Sequence, residues 1–371
     1  MNNKVTVIHT VGKLFKYSGV TDVILHSSSV IASEGHEVIV LAWDDYDSVD
    51  VNLFHDKVTV ILLANQGSVF YKLWRYSKTL VKLVKTNRNT VIHNHGLWQE
   101  SNISSGIVSK IYGVPLVISP HGMLESWSMN HNKYKKILPW FLYQRLLLKY
   151  AKYIHACSII EKNNILKIIS NADIWINTLG VCITPLQNKS ASKNVLFFSR
   201  IHPKKGVMEL VKTWKILDST DWTLSIVGPG EEKYLKSIND YIKQNNMDGN
   251  VKVIGALYGE DKQDVFRKSS LFVLPTYSEN FGIVVAEAFM ERLPVITTNA
   301  TPWVGLDKRG CGWTIHPTEN DLLLTLQEAM KLEVAELNKM GEIGRDWMID
   351  KFSWEVFGKK SLELYQKIIL K

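Results

Sequence analysis

Residues 271–288 read Leu271-Phe272-Val273-Leu274-Pro275-Thr276-Tyr277-Ser278-Glu279-Asn280-Phe281-Gly282-Ile283-Val284-Val285-Ala286-Glu287-Ala288. Four apolar residues ending at a proline fit a buried strand. A loop carrying Glu279 follows, and Gly282 opens an apolar helix with Glu287 inside it. Strand, short loop and apolar helix form half of a parallel unit whose sheet is covered on both faces. The same alternation runs outward in both directions. Upstream lie the strands Val195–Phe198, Leu224–Val227 and Val251–Ile254. One helix between them places Leu210, Val211, Trp214 and Leu217 on one face, and another does so with Tyr234, Leu235, Ile238, Tyr241 and Ile242. Downstream lies the strand Pro294–Thr297.

The first half repeats the pattern. Val5–Ile8 reads as a strand, followed by a loop with Gly12 and Gly19 and a helix from Val20. Val38–Leu41, Val58–Leu62, Val91–His93, Leu116–Ile118 and Tyr153–His155 read as further strands, with a helix over Tyr71–Lys85. The alternation stops at the polar stretch Pro185–Lys193, the best linker. The expectation is two doubly wound α/β domains, residues 1–187 and 194–352. A C-terminal helix in 353–371, with Trp354, Phe357, Leu364 and Ile368 on one side, would pack back on the first. Ligands in such sheets bind beyond the carboxyl ends of the strands, so two sheets facing each other would form a cleft.

The 371 residues are 46% hydrophobic and 22% charged, an ordinary globular balance. Cys157, Cys182 and Cys311 form no C-x-x-C pair, so a zinc ribbon or redox dithiol is not expected. No run approaches the roughly 20 apolar residues of a membrane span, and Met1-Asn2-Asn3-Lys4 does not open a signal peptide. A cytoplasmic chain is expected. Its net charge of +8 is uneven: residues 57–185 hold 16 Lys/Arg against 4 Asp/Glu. So basic a block is a solvated surface or meets an anionic partner, nucleic acid or an acidic membrane face. No nucleic-acid-binding module is recognisable. Lys133-Tyr134-Lys135-Lys136-Ile137-Leu138-Pro139-Trp140-Phe141-Leu142, basic and then aromatic, fits a membrane interface or a core helix with a charged start.

Three strand–loop–helix junctions carry the chemistry. In Phe197-Phe198-Ser199-Arg200-Ile201-His202-Pro203-Lys204-Lys205-Gly206, a basic loop enters a helix whose first N–H groups already favour anions. A planar guanidinium and a point-charge ammonium suit a diphosphate. Val227-Gly228-Pro229-Gly230 is a second junction, where glycine permits close approach to a ligand. Ile254-Gly255-Ala256-Leu257 is similar. In the third, Glu279 can bind sugar hydroxyls and Glu287, in an apolar helix, needs a partner if buried, for which ribose hydroxyls are suited. The bland alternatives are a surface basic loop, a helix cap at Ser278 or Asn280, and an exposed Glu287. His9, His93, His95 and His121 fall at or just after strands, but no His/Cys set has ligand spacing, so no metal site is expected.

The pairing of Glu279 and Glu287, with Arg200 and Lys205-Gly206 upstream, resembles the retaining GT-B glycosyltransferases of the GT4 family. His93-Asn94-His95-Gly96-Leu97-Trp98 and Ser119-Pro120-His121-Gly122-Met123-Leu124-Glu125 resemble motifs of bacterial members that build surface polysaccharides. The resemblance covers nearly the whole chain and implies a GT-B fold, two Rossmann-like domains facing across a cleft, the first for the acceptor and the second for the nucleotide-sugar. It implies that Arg200 and Lys205 bind the diphosphate and stabilise it as leaving group. Glu287 would hold the ribose. Glu279 would bind the donor sugar, helped by backbone N–H groups of Asn280, Phe281 and Gly282, with Ile283 and Val284 completing the helix start. His121 would sit over the sugar, and Gly19 near the diphosphate; Gly228, Ala256 and Leu257 would line the donor site. Tyr17-Ser18-Gly19-Val20 departs from the paired glycines of many members, and Asn177-Thr178-Leu179-Gly180-Val181 from a P-N-G-V pattern.

The implied reaction is front-face transfer, in which the departing phosphate takes the proton of the attacking hydroxyl. No D-x-D motif is present, and no metal or other cofactor is expected. The implied partners are a UDP-, GDP- or other nucleotide-sugar, a lipid-linked glycan acceptor of O-antigen, capsule or exopolysaccharide synthesis, and the anionic inner face of the plasma membrane, but not nucleic acid. The rival readings are a GT-B epimerase or hydrolase, which would turn over donor without acceptor, and a non-catalytic nucleotide-sugar-binding protein.

Overall fold

The computed structural model describes residues 4–16, 18–45, 47–130, 133–187, 189, 192–217 and 221–370, without the side chains of Ser126 and Trp127. Contacts divide the chain into two units, Met1–Gly180 with Trp354–Lys371, and Val181–Ser353. Of the expected linker, Asn188, Ser190 and Ala191 lie outside the described residues, as does Tyr17 of the first loop.

The first unit contains strands β1 (Thr6–Lys13), β2 (Glu37–Asp44), β3 (Val58–Ala64), β4 (Thr90–His95), β5 (Leu116–Ser119), β6 (Tyr153–Ala156) and β7 (Ile174–Ile176). They form one sheet, β3-β2-β1-β4-β5-β6-β7, with parallel pairings throughout. Chain order reverses between β1 and β4, so the switch point lies there. Strand β1 runs five residues past the expected Ile8. Gly12 therefore sits in the strand and not in a loop, at a place where a Cβ would overlap the Gln99 side chain. One face packs Ile8, Leu41, Tyr76, Leu80, Ile92 and Ile118; the other packs Val7, Val38, Val91 and Val117 against Leu362, Leu364, Tyr365 and Ile368. Those last residues belong to the helix Trp354–Ile369, which also lies along the helix Gly19–Ser33. Gly358 has no room for a Cβ beside Val30.

The second unit holds β8 (Asn194–Phe198), β9 (Thr223–Val227), β10 (Val251–Ile254), β11 (Leu271–Leu274), β12 (Val295–Thr298) and β13 (Gly312–Ile315). The order is β10-β9-β8-β11-β12-β13, again parallel, with its switch point between β8 and β11. Residues 181–187, assigned to the first domain from sequence, are bound to this unit. Arg345 donates to the Thr184 carbonyl and Thr184 Oγ1 donates to Glu291 at 3.2 Å. The boundary thus moves from 187 to 180, because buried Arg345 satisfies backbone there that the sequence leaves without a visible partner.

Candidate functional site

In the second unit every strand points its carboxyl end at the same edge, and the loops there gather the candidate residues. The β8 loop passes through Arg200 to a single 3-10 turn, Pro203–Lys205, closed by Gly206 at φ 69°. The β11 loop lies against it. Tyr277 N–H and Thr276 Oγ1 donate to the Lys204 carbonyl at 2.9 and 3.1 Å, and a Cβ on Gly206 would strike the Pro275 carbonyl. Gly228, at φ 147°, is equally constrained, since a Cβ would overlap the Ser199 carbonyl. Only glycine tolerates both the conformation and the approach.

This zipping brings Lys205 and Glu279 together across the switch point as an ion pair, with side chains 15% and 17% exposed. Glu279 Oε1 also accepts from Asn280 N–H at 3.2 Å. Gly282, at φ 72°, turns the chain into the helix Ile283–Met290. The first-turn N–H groups of Ile283 and Val284 have no intrahelical acceptor, so with Gly282 they form a small field of donors behind the Glu279 carboxylate. The loop is held from behind: Trp303 Nε1–H donates to the Phe281 carbonyl at 2.5 Å, and Phe281 packs on Trp303 and Phe352. The helix start is therefore at Gly282, not capped by Ser278 or Asn280.

Glu287 is 33% exposed and paired with Lys262 Nζ at 2.6 Å, which in turn stands 5.3 Å from the Phe198 ring centroid. The partner that Glu287 needs is thus a lysine of the helix Gly259–Arg267, a residue no spacing in the sequence singles out. Arg200 is exposed and has no ion pair among the described residues. Ala256 and Leu257 follow β10 on the same edge, Ala256 exposed and Leu257 half-buried. Arg200, Lys205, Gly228, Ala256, Leu257, Glu279 to Val284 and Glu287 are therefore all on one edge of one sheet. Chemically, that edge offers cationic groups and aligned N–H donors for an anion, and carboxylates for hydroxyls.

The first unit brings a different set to its own switch point. His9 on β1 and His93 on β4 are register partners, and His95 pairs with Val11 two residues on. All are buried, and a ring nitrogen from each of His9, His93 and His95 falls within 4.8 Å of the others. A parallel sheet gathers residues far apart in sequence, so the expectation drawn from linear ligand spacing tested the wrong quantity. The rings are hydrogen-bonded: His9 Nδ1 to His95 Nε2 at 2.9 Å, and His95 Nδ1 to His121 Nε2 at 3.0 Å. His93 lies between Tyr365 Oη and Ser119 Oγ at 2.6 and 2.7 Å. Ser119 continues to His155 Nδ1 at 2.8 Å, and His155 Nε2 to the Asn177 carbonyl at 2.8 Å. His93 and His95 could approach a cation only by giving up these bonds. Burial pushes His9 and His121 down to about 3 and His155 to about 4, and holds His93 and His95 well below the usual range.

His121 itself sits at φ 50° in the turn after β5. Glu161 pins that turn: its carboxylate accepts from Gly122 N–H and Cys157 N–H, each at 2.8 Å. The sequence held a signal for Glu161, the S-x-x-E spacing of Ser158 and Glu161 that opens a helix. Ser158 does cap the helix Ile159–Ile168, and the Glu161 carboxylate is shared between the His121 turn and Cys157 N–H just before the cap. Gly19, the first residue of its helix, is exposed with open space around it.

Comparison with known proteins agrees with this architecture. Residues 17–181 match the Glycosyltransferase Family 4 model and residues 184–347 the model for glycosyl transferases group 1. An uncharacterized glycosyltransferase of Methanocaldococcus jannaschii is 26% identical over 324 residues, 84% of this chain and 85% of that protein. The capsular polysaccharide biosynthesis glycosyltransferase CapM of Staphylococcus aureus is 25% identical over 176 residues, 47% of this chain and 46% of that one. In structure, Anabaena HepE in complex with UDP and glucose superposes with a TM-score of 0.76 at 17% identity, covering 98% of this chain and 100% of that one. With two doubly wound parallel sheets, their carboxyl-edge sites and two matching models that together span most of its length, the chain belongs to the GT-B glycosyltransferases of the group 1, family 4 type.

Proposed function

We propose that the chain is a retaining hexosyltransferase that moves one sugar from a nucleotide-sugar to a lipid-linked glycan during bacterial surface-polysaccharide synthesis, as the O-antigen, capsule or exopolysaccharide grows. The observation that carries the donor half is the Lys205–Glu279 pair at the switch point, beside the N–H donors of the helix Ile283–Met290. In this reading Lys205 and Arg200 take the diphosphate, Glu287 the ribose and Glu279 the sugar hydroxyls. The UDP and glucose in HepE and the role in the name of CapM support a nucleotide-sugar donor and a polysaccharide product. The acceptor oxygen bonds to the anomeric carbon on the face from which the phosphate oxygen leaves, and the leaving diphosphate takes the hydroxyl proton. Lys205 and Arg200 stabilise the departing charge without a metal ion, so positioning and electrostatics supply the catalysis. In the same reading His121 contacts the donor sugar and Gly19 lies near the diphosphate.

The membrane half rests on the surface around the helices Lys133–Pro139 and Arg145–Tyr150, joined by the wide turn Trp140–Gln144. Trp140, Gln144 and Leu148 face the core, but Tyr134 is 89% exposed and Phe141 66%, with Leu138, Leu142 and Leu146 also out among Lys133, Lys135, Lys136, Arg145 and Lys149. Exposed aromatic and aliphatic side chains between lysines suit an anionic lipid interface. Among the described residues no helix is long and apolar enough to cross a membrane, so contact would be peripheral, on the cytoplasmic face. Thermal stabilisation by UDP-, GDP-, ADP- and dTDP-sugars in EDTA, for the wild type and Lys205→Ala, tests the donor half. One base should stabilise the wild type and not the variant; stabilisation that requires a divalent ion or survives Lys205→Ala sinks it. Sedimentation with vesicles of anionic against neutral lipid at low salt tests the membrane half, which fails if the two bind alike.

A further inference from the structure

The hydrogen bonds of the buried histidines can be followed proton by proton. His155 Nε2 lies 2.8 Å from the Asn177 carbonyl, which only accepts, so Nε2 carries the proton. The neutral ring then has a bare Nδ1, which accepts from the Ser119 hydroxyl at 2.8 Å. That hydroxyl has given its one proton, so it accepts from His93 Nε2–H at 2.7 Å. His93 Nδ1 is bare in turn and accepts the Tyr365 O–H at 2.6 Å. This branch has a single consistent arrangement.

The second branch, His9–His95–His121, has two, because the protons of all three rings can shift together. In one, the protons sit on the three Nδ1 atoms. In the other, they sit on the three Nε2 atoms, which puts an N–H at His9 Nε2. That atom is buried and has no hydrogen-bond partner among the described residues. An orphaned buried N–H is the rarer defect in folded proteins, compared with an under-used acceptor. The first arrangement is therefore favoured: His9 Nδ1–H donates to His95 Nε2, and His95 Nδ1–H donates to His121 Nε2.

We infer that His95, backed by His9, is a positioning residue that holds His121 as a neutral ring with its proton on Nδ1, the nitrogen the relay leaves for a substrate oxygen. His121 thus meets the substrate as a fixed donor, aimed at a sugar hydroxyl or phosphate oxygen. The turn held by Glu161 fixes the backbone while the relay fixes the ring. This rests on the reading above in which His121 faces the donor, but the tautomers themselves do not.

The full chain labelled with [15N]histidine, free of ligand at neutral pH, gives the test through long-range proton–nitrogen correlation of the imidazoles, with His121→Gln assigning that ring. Nε2 should be the bare nitrogen in His9, His95 and His121, and Nδ1 the bare one in His93 and His155. A bare Nδ1 on His121 overturns the inference. His95→Phe, and His9→Phe, which does not touch His121, should each disturb the His121 tautomer. The affinity for the nucleotide-sugar that stabilises the wild type should fall by about tenfold, the worth of one aimed hydrogen bond, while that for the free nucleoside diphosphate stays unchanged. A folded variant that keeps the His121 tautomer, or shifts it without affecting nucleotide-sugar affinity, overturns the positioning role. Failure of the wild type to bind any nucleoside diphosphate would instead strike the proposed function, and the ligand-free spectrum still decides the tautomers.

Discussion

The Lys205–Glu279 pair makes a prediction in which two substitutions act with opposite sign. Before donor binds, the ammonium is held by the carboxylate, both mostly out of water. On the proposed function, a diphosphate must share or replace that partner. Lys205→Ala removes a charge-assisted hydrogen bond, worth about 1.5–3 kcal/mol, so nucleoside diphosphate affinity should fall roughly ten- to hundredfold. Glu279→Gln removes the competing carboxylate and a like charge beside the phosphates. Releasing the lysine from a pair worth about 1 kcal/mol should tighten nucleoside diphosphate binding by about fivefold. The same substitution removes the carboxylate proposed to hold the sugar, so the intact nucleotide-sugar should lose affinity relative to the nucleoside diphosphate. Isothermal titration in EDTA with both ligands reads each number directly. If Glu279→Gln weakens the nucleoside diphosphate as much as Lys205→Ala does, the carboxylate supports the phosphate site and does not compete with it. The division of roles would then be wrong.

Gly282→Ala should lower both stability and nucleotide-sugar affinity. The left-handed φ of 72° costs a Cβ about 1–2 kcal/mol, and that Cβ would stand 2.8 Å from Glu279 Cγ; a variant with unchanged melting temperature and affinity would contradict the geometry. The buried histidines should make the fold sensitive to mild acid. His9 and His121 fall to about 3 and His155 to about 4 in the folded chain. Below the unfolded value near 6.5 the unfolded chain binds protons that the folded rings refuse, so stability is full above about pH 7 and is lost as pH falls. Between pH 7.5 and 5.5 these three rings alone should withdraw about 4 kcal/mol. Glu161, whose carboxyl burial raises, acts in the opposite direction as pH falls. A urea midpoint that does not move between those pH values refutes the burial of the cluster.

The elements legible in the sequence were those whose apolar pattern is strong. β8, β9, β11 and β12 are short apolar runs at the four inner positions of a covered sheet, and each was expected at its place. β7 and β13 were not foreseen. Both lie at sheet edges, as do β3 and β10, but Ile174–Ile176 is only three residues long and Gly312–Ile315 begins with glycine, so neither shows the apolar run that marked the other two. The candidate residues around Glu279 were visible because loop chemistry between a strand and an apolar helix is local. Their supports were not. Lys262 reaches Glu287 from another helix, Trp303 reaches the Phe281 carbonyl from the β12 loop, and Glu161 reaches Gly122 across the sheet edge. Such partners are set by tertiary approach, which spacing along the chain does not encode.

The two switch points handle polarity by different physical means. In the second unit, charges are kept as pairs near solvent: Lys205 with Glu279, Lys262 with Glu287. Such pairs can exchange a protein partner for a ligand charge at small cost, since neither group is fully desolvated. In the first unit the polar groups are rings deep in the core, where a charge would be expensive, so burial keeps them neutral and their hydrogen bonds are satisfied almost entirely from within. A network of that kind resists rearrangement. On the proposed function, the chemistry that needs movable charge, stabilising a departing diphosphate, would fall to the second unit. What the inferred relay supplies within the first unit is direction: a neutral ring at His121, fixed in place by His95 and His9.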